Sequence, residues 1–270
     1  MCLECGCSQS VPFGVKVLSV IAPRLLQPRP SAPAAPATVA PPATAPQSLE
    51  VHTSLLAKND AAAERNRSFF RQHGQLALNL VSSPGAGKTT LLARTVDEFG
   101  RTERCAVIVG DLETDNDARR LHRPHVPVAQ ITTGTACHLD AEMVARGMAA
   151  LDLAAARVVF IENVGNLVCP ASFDLGEAVR VVLLSATEGE DKPLKYPPIF
   201  KSAHVVLLTK IDVAGVLGFD CAAAADNIRR VAPQARLLQV SARSGEGMEE
   251  WYQFLRSHLP PAVAVAAPTR

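Results

Sequence analysis

The chain has 270 residues, a hydrophobic content of 48% and a formal net charge of +1. This length allows one large domain or two small ones, and the apolar content suffices for a buried core. Because the charge is nearly balanced, composition gives no reason to expect nucleic acid or an anionic membrane as the main partner. The best apolar run, residues 11–26, is interrupted by Lys16, Pro23 and Arg24, so we expect no membrane span.

Three of the seven cysteines lie within the first seven residues, MCLECGC. Cys2, Cys5 and Cys7 can converge on one soft or borderline metal ion, because Gly6 permits a tight turn. A square-planar set with nitrogen donors suits Ni(II) or Cu(II), and a tetrahedral set suits Zn(II). The alternative is that these cysteines are incidental on a flexible tail. The odd, uneven cysteine distribution favours metal ligation in the cytoplasm over disulfides.

A proline-rich stretch separates these cysteines from the rest of the chain. Residues 23–46 hold eight prolines among many alanines, a composition typical of a polyproline-like linker. From residue 49 to residue 73, apolar residues recur at near-helical spacing and predict a helix. We therefore predict three segments: a cysteine cluster at 1–7, a flexible linker at 8–48 and a nucleotide-binding domain at 49–270.

The next stretch, residues 76–90, reads LALNLVSSPGAGKTT. Its order of apolar run, glycine loop and helical pattern predicts a strand, a phosphate-binding loop and a helix. Lys88 would contact the β- and γ-phosphates of a nucleotide, and the Thr89 hydroxyl would bind Mg²⁺. The general pattern has Gly where this chain has Ser82, and a purely structural glycine turn is the alternative. The predicted nucleotide-binding residues of this loop are Ser83, Gly85, Ala86, Gly87, Lys88, Thr89 and Thr90.

Apolar runs alternate with helical patterns in the remaining chain. The further predicted strands are Cys105–Val109, Val126–Ile131, Val158–Ile161, Val181–Leu184, Val205–Leu208 and Leu237–Val240. This alternation predicts an α/β P-loop NTPase fold, with a mostly parallel central sheet covered by helices on both faces. Ligands are then expected at the carboxyl ends of the strands.

Two loops after predicted strands indicate base selection. Asp212 can accept two hydrogen bonds from the N1–H and 2-amino group of guanine, whereas adenine offers no such pair. The Lys210 stem can lie along the base plane, although the usual pattern has Asn in place of Thr209. The loop Ser241, Ala242 and Arg243 matches the one whose backbone N–H reaches guanine O6 in GTPases. Together the two loops favour GTP over ATP.

Acidic residues follow two other strands. Residues 110–117, GDLETDND, put four carboxylates behind one strand, where a cation or solvent must relieve their repulsion. Glu162 and Gly165 stand where GTPases usually carry Asp-x-x-Gly, so Glu162 would hold a Mg²⁺-bound water. A solvated acidic loop is the alternative for any single carboxylate of the first run.

A second group of metal-binding residue types lies at the same predicted sheet edge. Cys137 and His138 open a helix, and Cys169 follows Gly165 by four residues. Two thiolates and one imidazole suit Zn²⁺ or Ni²⁺ and leave one coordination position for water or a partner. Taken singly, each cysteine is more typical of a buried core residue than of a metal ligand, and we expect that role for Cys105 and Cys221.

With these residues in place, the chain resembles the HypB family, the nickel-insertion GTPases of nickel–iron hydrogenase maturation. The resemblance covers nearly everything except the Pro/Ala linker, and Ser82 is usual in that family. It rests on the sequences CLECGC at residues 2–7, NLVSSPGAGKT at 79–89, GDLETD at 110–115, CHLD at 137–140 and ENVGNLVCP at 162–170.

The resemblance implies a GTPase of the SIMIBI class, which dimerises face to face around the nucleotide. It makes the N-terminal cysteines a high-affinity nickel site, and the second group a weaker nickel or zinc site near the dimer interface. Asp117 and Glu162 become the switch carboxylates near Mg²⁺ and form the catalytic set with Lys88. The implied cofactors are GTP, Mg²⁺, Ni²⁺ and Zn²⁺. The implied partners are a zinc-containing accessory metallochaperone and the hydrogenase large-subunit precursor.

Two departures limit what the family pattern carries over. Many members have Gly-Lys-Gly or similar before the Cys-His pair, where this chain has Gly134-Thr135-Ala136, and the linker has no histidine-rich run, so bulk nickel storage is not expected. The expected function is a GTP-hydrolysing nickel metallochaperone. The alternatives are a urease-type nickel accessory GTPase, a family that typically has Cys-Pro-His and no N-terminal triad, or a nucleotide-regulated metal buffer or sensor with negligible turnover.

Overall fold

The structure is a computed structural model that describes residues 15–17, 45–113 and 115–261. The predicted nickel ligands Cys2, Cys5 and Cys7, and most of the predicted linker, lie outside the described residues. In the described part of the chain, no helix combines the length and the apolar character that a membrane span requires.

Strands and helices alternate along the described chain. The strands are β1 (Val15–Val17), β2 (Leu76–Ser82), β3 (Cys105–Asp111), β4 (Val128–Thr132), β5 (Val158–Glu162), β6 (Val179–Ser185), β7 (Val205–Thr209) and β8 (Arg236–Val240). The α-helices are α1 (Ala45–Gln72), α2 (Lys88–Glu98), α3 (Asn116–Leu121), α4 (Ala141–Ala149), α5 (Lys192–Lys195), α6 (Pro197–Lys201), α7 (Ala214–Leu217), α8 (Cys221–Val231) and α9 (Met248–His258).

All eight strands belong to one sheet, in the order β1-β4-β3-β5-β2-β6-β7-β8. The six pairings from β4 to β8 are parallel, and β1 joins β4 antiparallel at one edge. The predicted α/β fold with a mostly parallel sheet is confirmed. Because β2 lies between β5 and β6, the loop after it emerges near the middle of the carboxyl edge.

Side chains of each strand alternate between two buried layers, as the pleat requires. In β2, Leu78 and Leu80 face a layer that includes α2 and α9, whereas Ala77 and Val81 face the other side of the sheet. The indole N–H of Trp251 in α9 donates to the Thr95 hydroxyl of α2 at 3.1 Å. Helices therefore cover both faces of the sheet.

Several boundaries differ from the prediction by one or two residues, and three further differences have a specific cause. Helix α1 begins at Ala45, not at residue 49, because Pro46 lies in the first turn, where its missing N–H is not needed. Strand β1 lies inside the predicted linker, since an edge strand needs only backbone pairing with β4. Strand β4 begins at Val128 and not at Val126, since Pro127 has no N–H to donate.

Candidate functional site

The loop between β2 and α2 has the backbone that a phosphate-binding loop requires. Gly85 and Gly87 have φ angles of +73° and +100°, a region that residues with a Cβ adopt only at a cost in strain. Helix α2 begins at Lys88 directly after Gly87. The N-terminal N–H groups of this 11-residue helix therefore face the space in front of the loop.

Ser82 has a specific role where the general pattern has glycine. Its side chain is fully buried, and its hydroxyl accepts a hydrogen bond of 2.9 Å from Nζ of Lys88. Burial lowers the pKa of Lys88, and the nearby negative charges of Glu162, Asp117 and Glu188 oppose that shift. The Ser82 hydroxyl therefore fixes the position of the Lys88 side chain at the start of α2.

A cleft of about 440 Å³ opens in front of this loop. It lies at the carboxyl edge of the sheet, where β2, β3 and β5 end. The side chains that line it come from four separate loops or helices. They include Lys88, Thr89, Asp111, Asp117, Arg120, Glu162 and Lys210, together with backbone at Gly85, Gly87 and Gly165.

A second cavity of about 240 Å³ lies next to this cleft, and Gly87, Thr90 and Lys210 line both. Its other walls include Ala86, Asp212, Val240, Ser241, Ala242 and Arg243. The two predicted base-binding loops therefore meet at one cavity beside the phosphate loop. Ser83 is the one predicted loop residue that lines neither cavity, although its carbonyl accepts the hydroxyl of Ser82 at 2.7 Å.

Hydrogen bonds hold the walls of the second cavity in place. The Ser241 hydroxyl donates to Oδ1 of Asp212 at 2.7 Å, which leaves Oδ2 and a second acceptor site of Oδ1 for a ligand. Nζ of Lys210 donates to the Gly85 carbonyl at 2.7 Å, so the lysine stem spans from its own loop to the phosphate loop. The Thr209 hydroxyl donates to the Ala86 carbonyl at 2.8 Å, a contact that ties β7 to the phosphate loop without the usual Asn.

Glu162 and Thr89 form a buried pair that suits a hard cation. The Thr89 hydroxyl donates to Oε1 of Glu162 at 2.7 Å, while Oε2 is buried without a hydrogen-bond partner. Burial raises the pKa of Glu162 to about 7, although the Thr89 hydrogen bond and the charge of Lys88 act in the opposite direction. Hydroxyl and carboxylate oxygens are ligands that Mg²⁺ prefers, directly or through water, so these residues fit the predicted Mg²⁺ site.

Asp117 reaches the same cleft but is less enclosed than Glu162. Its Oδ1 lies 3.5 Å from NH1 of Arg120. Asp111, at the end of β3, also lines the cleft, so two carboxylates of the acidic run face it. Asp115 instead pairs with Arg119 on the surface. Asp111 and Asp117 are therefore the members of this run that are placed to meet a ligand in the cleft.

The three residues predicted as a second metal site come together. The ligand atoms of Cys137, His138 and Cys169 all lie within 4.8 Å of one another. The two sulfurs are 2.9 Å apart, well beyond a disulfide bond length of about 2.05 Å. Cys105 is buried elsewhere, and Cys221 is half-buried at the start of α8.

The surroundings of the histidine in this group favour the neutral state that binds metals. Burial lowers the pKa of His138, although Asp140 opposes the shift, so the neutral imidazole is favoured. The His138 ring packs against the Phe173 ring with centroids 4.0 Å apart. Two thiols and a neutral imidazole supply three of the four positions of a tetrahedral Zn²⁺-type site.

The loop that carries Cys137 and His138 is hydrogen-bonded to the loop after β5. The Asn163 carbonyl oxygen Oδ1 accepts from the backbone N–H of Leu139 and of Val164, both at 3.0 Å. Nδ2 of Asn166 donates to the Cys137 carbonyl at 3.2 Å. Sequence reasoning placed Asn163 in the motif but assigned it no role, since its partner lies 24 positions away.

The loop that carries Cys137 and His138, called the Cys/His loop below, also contacts the acidic loop after β3. The backbone N–H of Thr133 donates to the Asp111 carbonyl at 2.8 Å, and that of Gly134 donates to the Leu112 carbonyl at 3.0 Å. Gly165, in the loop after β5, packs closely against the phosphate loop, because a Cβ there would lie 2.9 Å from Cα of Pro84. The Cys/His loop thus contacts the loop after β5 and the acidic loop after β3, which both border the cleft.

A buried polar chain extends from Asn163 into the sheet. Nδ2 of Asn163 donates to Oδ1 of Asn79 at 3.3 Å, and Nδ2 of Asn79 donates to Glu177 at 3.2 Å. Glu177 is in turn paired with buried Arg180 at 2.7 Å. In the sequence, Asn79 is only a break in an apolar run. A polar residue inside a buried parallel strand is itself a signal, since it must find a partner there.

Comparison with known proteins agrees with this geometry. Residues 76–239 match the family described as CobW/HypB/UreG, nucleotide-binding domain. Hydrogenase maturation factor HypB of Azotobacter vinelandii is 53% identical over 207 residues, which cover 77% of this chain and 68% of that protein. This chain belongs to the CobW/HypB/UreG family, in its HypB branch.

Two further relatives come from Helicobacter pylori. The hydrogenase/urease maturation factor HypB of strain 26695 is 38% identical over 213 residues, which cover 77% of this chain and 87% of that protein. The crystal structure of HypB from Helicobacter pylori in complex with nickel has a TM-score of 0.71 and 37% identity, and it covers 77% of this chain and 99% of that one. The family match includes the residues that line the phosphate-loop cleft and the Cys/His group.

The buried Glu162 carboxyl predicts a pH-dependent stability. Without Mg²⁺ or nucleotide, the folded protein holds a proton on Glu162 up to about pH 7, whereas the unfolded chain releases it near the ordinary value of 4.5. The free energy of unfolding should therefore fall as pH rises from about 4.5 to 7, by roughly 3 kcal/mol from this group. Glu162→Gln keeps an acceptor for Thr89 and should remove this component.

Urea denaturation of the two proteins at about pH 5, 6 and 7 measures the effect. Other groups change the pH profile of both proteins alike, so the difference between the profiles isolates residue 162. Parallel profiles would show that the Glu162 carboxyl ionises at its ordinary pKa.

Proposed function

We propose that this chain is a GTP-hydrolysing nickel metallochaperone that delivers Ni(II) to a hydrogenase large-subunit precursor. The observation that carries the proposal is the contact between two sites. The group of Cys137, His138 and Cys169 lies on loops that hydrogen-bond to the loops around the phosphate cleft. A change of nucleotide can therefore act on the metal ligands over a short distance.

GTP is the proposed nucleotide because of the second cavity. One oxygen of Asp212 is held by Ser241, which orients the carboxylate as an acceptor toward the cavity. Ala242 lines the same cavity, and its backbone N–H can donate to O6 of guanine. Adenine presents an amino group at position 6 and no 2-amino group, so it would satisfy neither side.

Hydrolysis is assigned to the cleft of the phosphate loop. Lys88 would contact the β- and γ-phosphates, and Thr89, Asp117 and Glu162 would hold Mg²⁺ directly or through water. When bound, Mg²⁺ neutralises charge that develops on the phosphates. The backbone N–H groups of the glycine loop and of the α2 N-terminus would bind and orient the triphosphate.

Nickel is the proposed cargo at Cys137, His138 and Cys169, with Zn²⁺ as a competing ion. Cys169 lies four residues beyond Gly165, which packs on the phosphate loop. Movement of this loop after loss of the γ-phosphate would displace a metal ligand and change the nickel affinity. The crystallised Helicobacter pylori relative in complex with nickel supports the choice of metal. Cys2, Cys5 and Cys7 remain a proposed high-affinity nickel site on residues 1–7.

The proposed partners follow from this role. They are the large-subunit precursor as acceptor, a zinc-containing accessory metallochaperone, and a second copy of this chain. Delivery to urease is the second candidate, because the name of the Helicobacter pylori relatives includes both hydrogenase and urease. A metal buffer or sensor would hydrolyse GTP negligibly, whereas a chaperone would turn GTP over slowly and faster with its acceptor.

The first experiment is a competition titration of nickel against the full chain with GDP and with a non-hydrolysable GTP analogue. Cys169→Ser should weaken the second site and abolish the dependence of nickel affinity on nucleotide, because it removes the ligand nearest Gly165. Changing Cys2, Cys5 and Cys7 together to Ser should remove only the tight site. Cys221→Ser is the matched control and should leave both sites unchanged. Equal nickel affinities in the two nucleotide states of the unaltered protein would refute nucleotide-gated release.

Asp212→Asn tests base selection. Asn offers one acceptor and one amide donor in place of two acceptors, so the Kd for GTP should rise by about 100-fold or more. Xanthosine triphosphate, which has a carbonyl where guanine has its 2-amino group, should bind better than GTP. Asp226→Asn, which changes a carboxylate exposed on α8, is the control. Unchanged GTP affinity in Asp212→Asn, measured by fluorescence titration, would exclude this cavity as the guanine site.

Dimerisation around GTP is supported by exposed apolar side chains beside the base cavity. Val216 and Leu217 in α7 are 90% and 53% exposed, and Val213 just before them lines the cavity. Changing Val216 and Leu217 together to Asp should weaken a GTP-dependent dimer in sedimentation velocity, whereas Leu194→Asp on another helix should not. A monomer with both GDP and the GTP analogue would contradict the proposed dimer.

A further inference from the structure

We propose that Arg120 is a catalytic residue of the GTPase reaction, whose guanidinium contacts the β- and γ-phosphate oxygens and stabilises their charge in the transition state. The inference rests on the proposed function, since it requires GTP as the substrate. Sequence reasoning did not select Arg120, which lies next to another arginine in α3.

The position of Arg120 carries the proposal. Its side chain lines the same cleft as Lys88, Thr89 and Glu162. Its NH2 group donates to the Thr90 hydroxyl at 2.9 Å, so the guanidinium lies at the first turn of α2, where the phosphate loop ends. The acidic loop and α3 thus bring a second full cation to the phosphate end of the cleft.

The charge balance of the cleft calls for such a cation. Asp111, Asp117 and Glu162 line the cleft with carboxylates, and a triphosphate would add several further negative charges, which the two positive charges of the proposed Mg²⁺ offset only in part. Among the described side chains that line it, the cations are Lys88, Lys210 and Arg120. Lys88 is bound to Ser82, and Nζ of Lys210 donates to the Gly85 carbonyl on the side shared with the base cavity.

The present contacts of Arg120 are easily exchanged. Its side chain is 53% exposed, and its contact with Asp117 spans 3.5 Å, so this ion pair contributes little to stability. Asp117 is also a proposed Mg²⁺ residue. If Asp117 were to hold Mg²⁺, the guanidinium of Arg120 would lose this partner and would be available to phosphate oxygens at small cost.

The reaction places charge where a guanidinium is most useful. The water oxygen forms a bond to the γ-phosphorus while the bond from this phosphorus to the β–γ bridging oxygen breaks. The bonding pair remains on the β-phosphate of GDP, and the proton of water passes to the released phosphate or to solvent. Charge gathers on the bridging and γ-oxygens, which the planar fork of an arginine can contact at two points.

Arg119 provides a matched control on the same helix. It is 70% exposed and pairs with Asp115 at 3.1 Å, and it does not line the cleft. Arg119→Ala and Arg120→Ala remove the same charge from adjacent positions. A difference between them therefore reports the position of the guanidinium, not the net charge of α3.

The test measures steady-state GTP hydrolysis by the full chain with Mg²⁺, together with the affinity for GDP and for GDP with aluminium fluoride. Arg120→Ala should lower kcat at least about 100-fold and weaken the aluminium fluoride complex, a transition-state analogue, with little change in KM or in GDP affinity. Arg120→Lys should recover part of the loss, because it restores the charge but not the two-point contact. Arg119→Ala should match the unaltered protein.

Three outcomes would overturn the assignment. They are an unchanged kcat in Arg120→Ala, an equal loss in Arg119→Ala, or a raised KM with kcat preserved, which would make Arg120 a binding residue only. Failure of the proposed function looks different. In that case the unaltered protein binds GDP but hydrolyses no GTP, and the assignment of Arg120 falls with the reaction.

Discussion

The structure depends most on the buried carboxylate of Glu162 at the end of β5. Burial disfavours its charge, and the Thr89 hydroxyl and Lys88 only partly oppose this effect. A carboxylate enclosed in this way is stable as an anion only when a cation or several donors approach it. The phosphate loop on one side and the acidic loop on the other enclose the space where such a cation would lie.

The same strand end also determines the position of the metal group. Asn163, the residue after Glu162, accepts hydrogen bonds from Leu139 and Val164. Two residues after Asn163, Gly165 packs on Pro84, and the next residue, Asn166, donates a hydrogen bond to the Cys137 carbonyl. A single short segment therefore connects the proposed Mg²⁺ carboxylate, the phosphate loop and the thiol ligands, with no long pathway between them. This closeness is the physical basis of the proposed coupling between nucleotide state and metal affinity.

The buried chain from Asn163 through Asn79 to Glu177 and Arg180 adds rigidity behind the site. Each member is buried and hydrogen-bonded, so moving one would leave another unsatisfied in the low-dielectric interior. The movements proposed for the nucleotide cycle are then confined to the loops at the carboxyl edge. Arg120 lies on the side of these loops, where its partners are the Thr90 hydroxyl and the half-buried Asp117 carboxylate.

The sequence alone determined the features that depend on local spacing. The glycine loop, the alternation of strands and helices, and the predicted base-binding loop around Asp212 are encoded within a few residues, since backbone period and turn chemistry are local properties. The structure bears out the α/β sheet, and the family match bears out the resemblance. The exact ends of β4 and α1 were less predictable, because Pro127 and Pro46 act through missing donors.

Only the tertiary structure decided which distant residues meet. Cys137 and Cys169 are 32 positions apart in the chain and 2.9 Å apart in space, and Asn79 reaches Glu177 across 98 positions. Arg119 and Arg120 are adjacent residues of the same type, yet Arg119 faces solvent and Arg120 lines the cleft. Local patterns specify which face a residue occupies on its own element, whereas the packing of several elements specifies what that face meets.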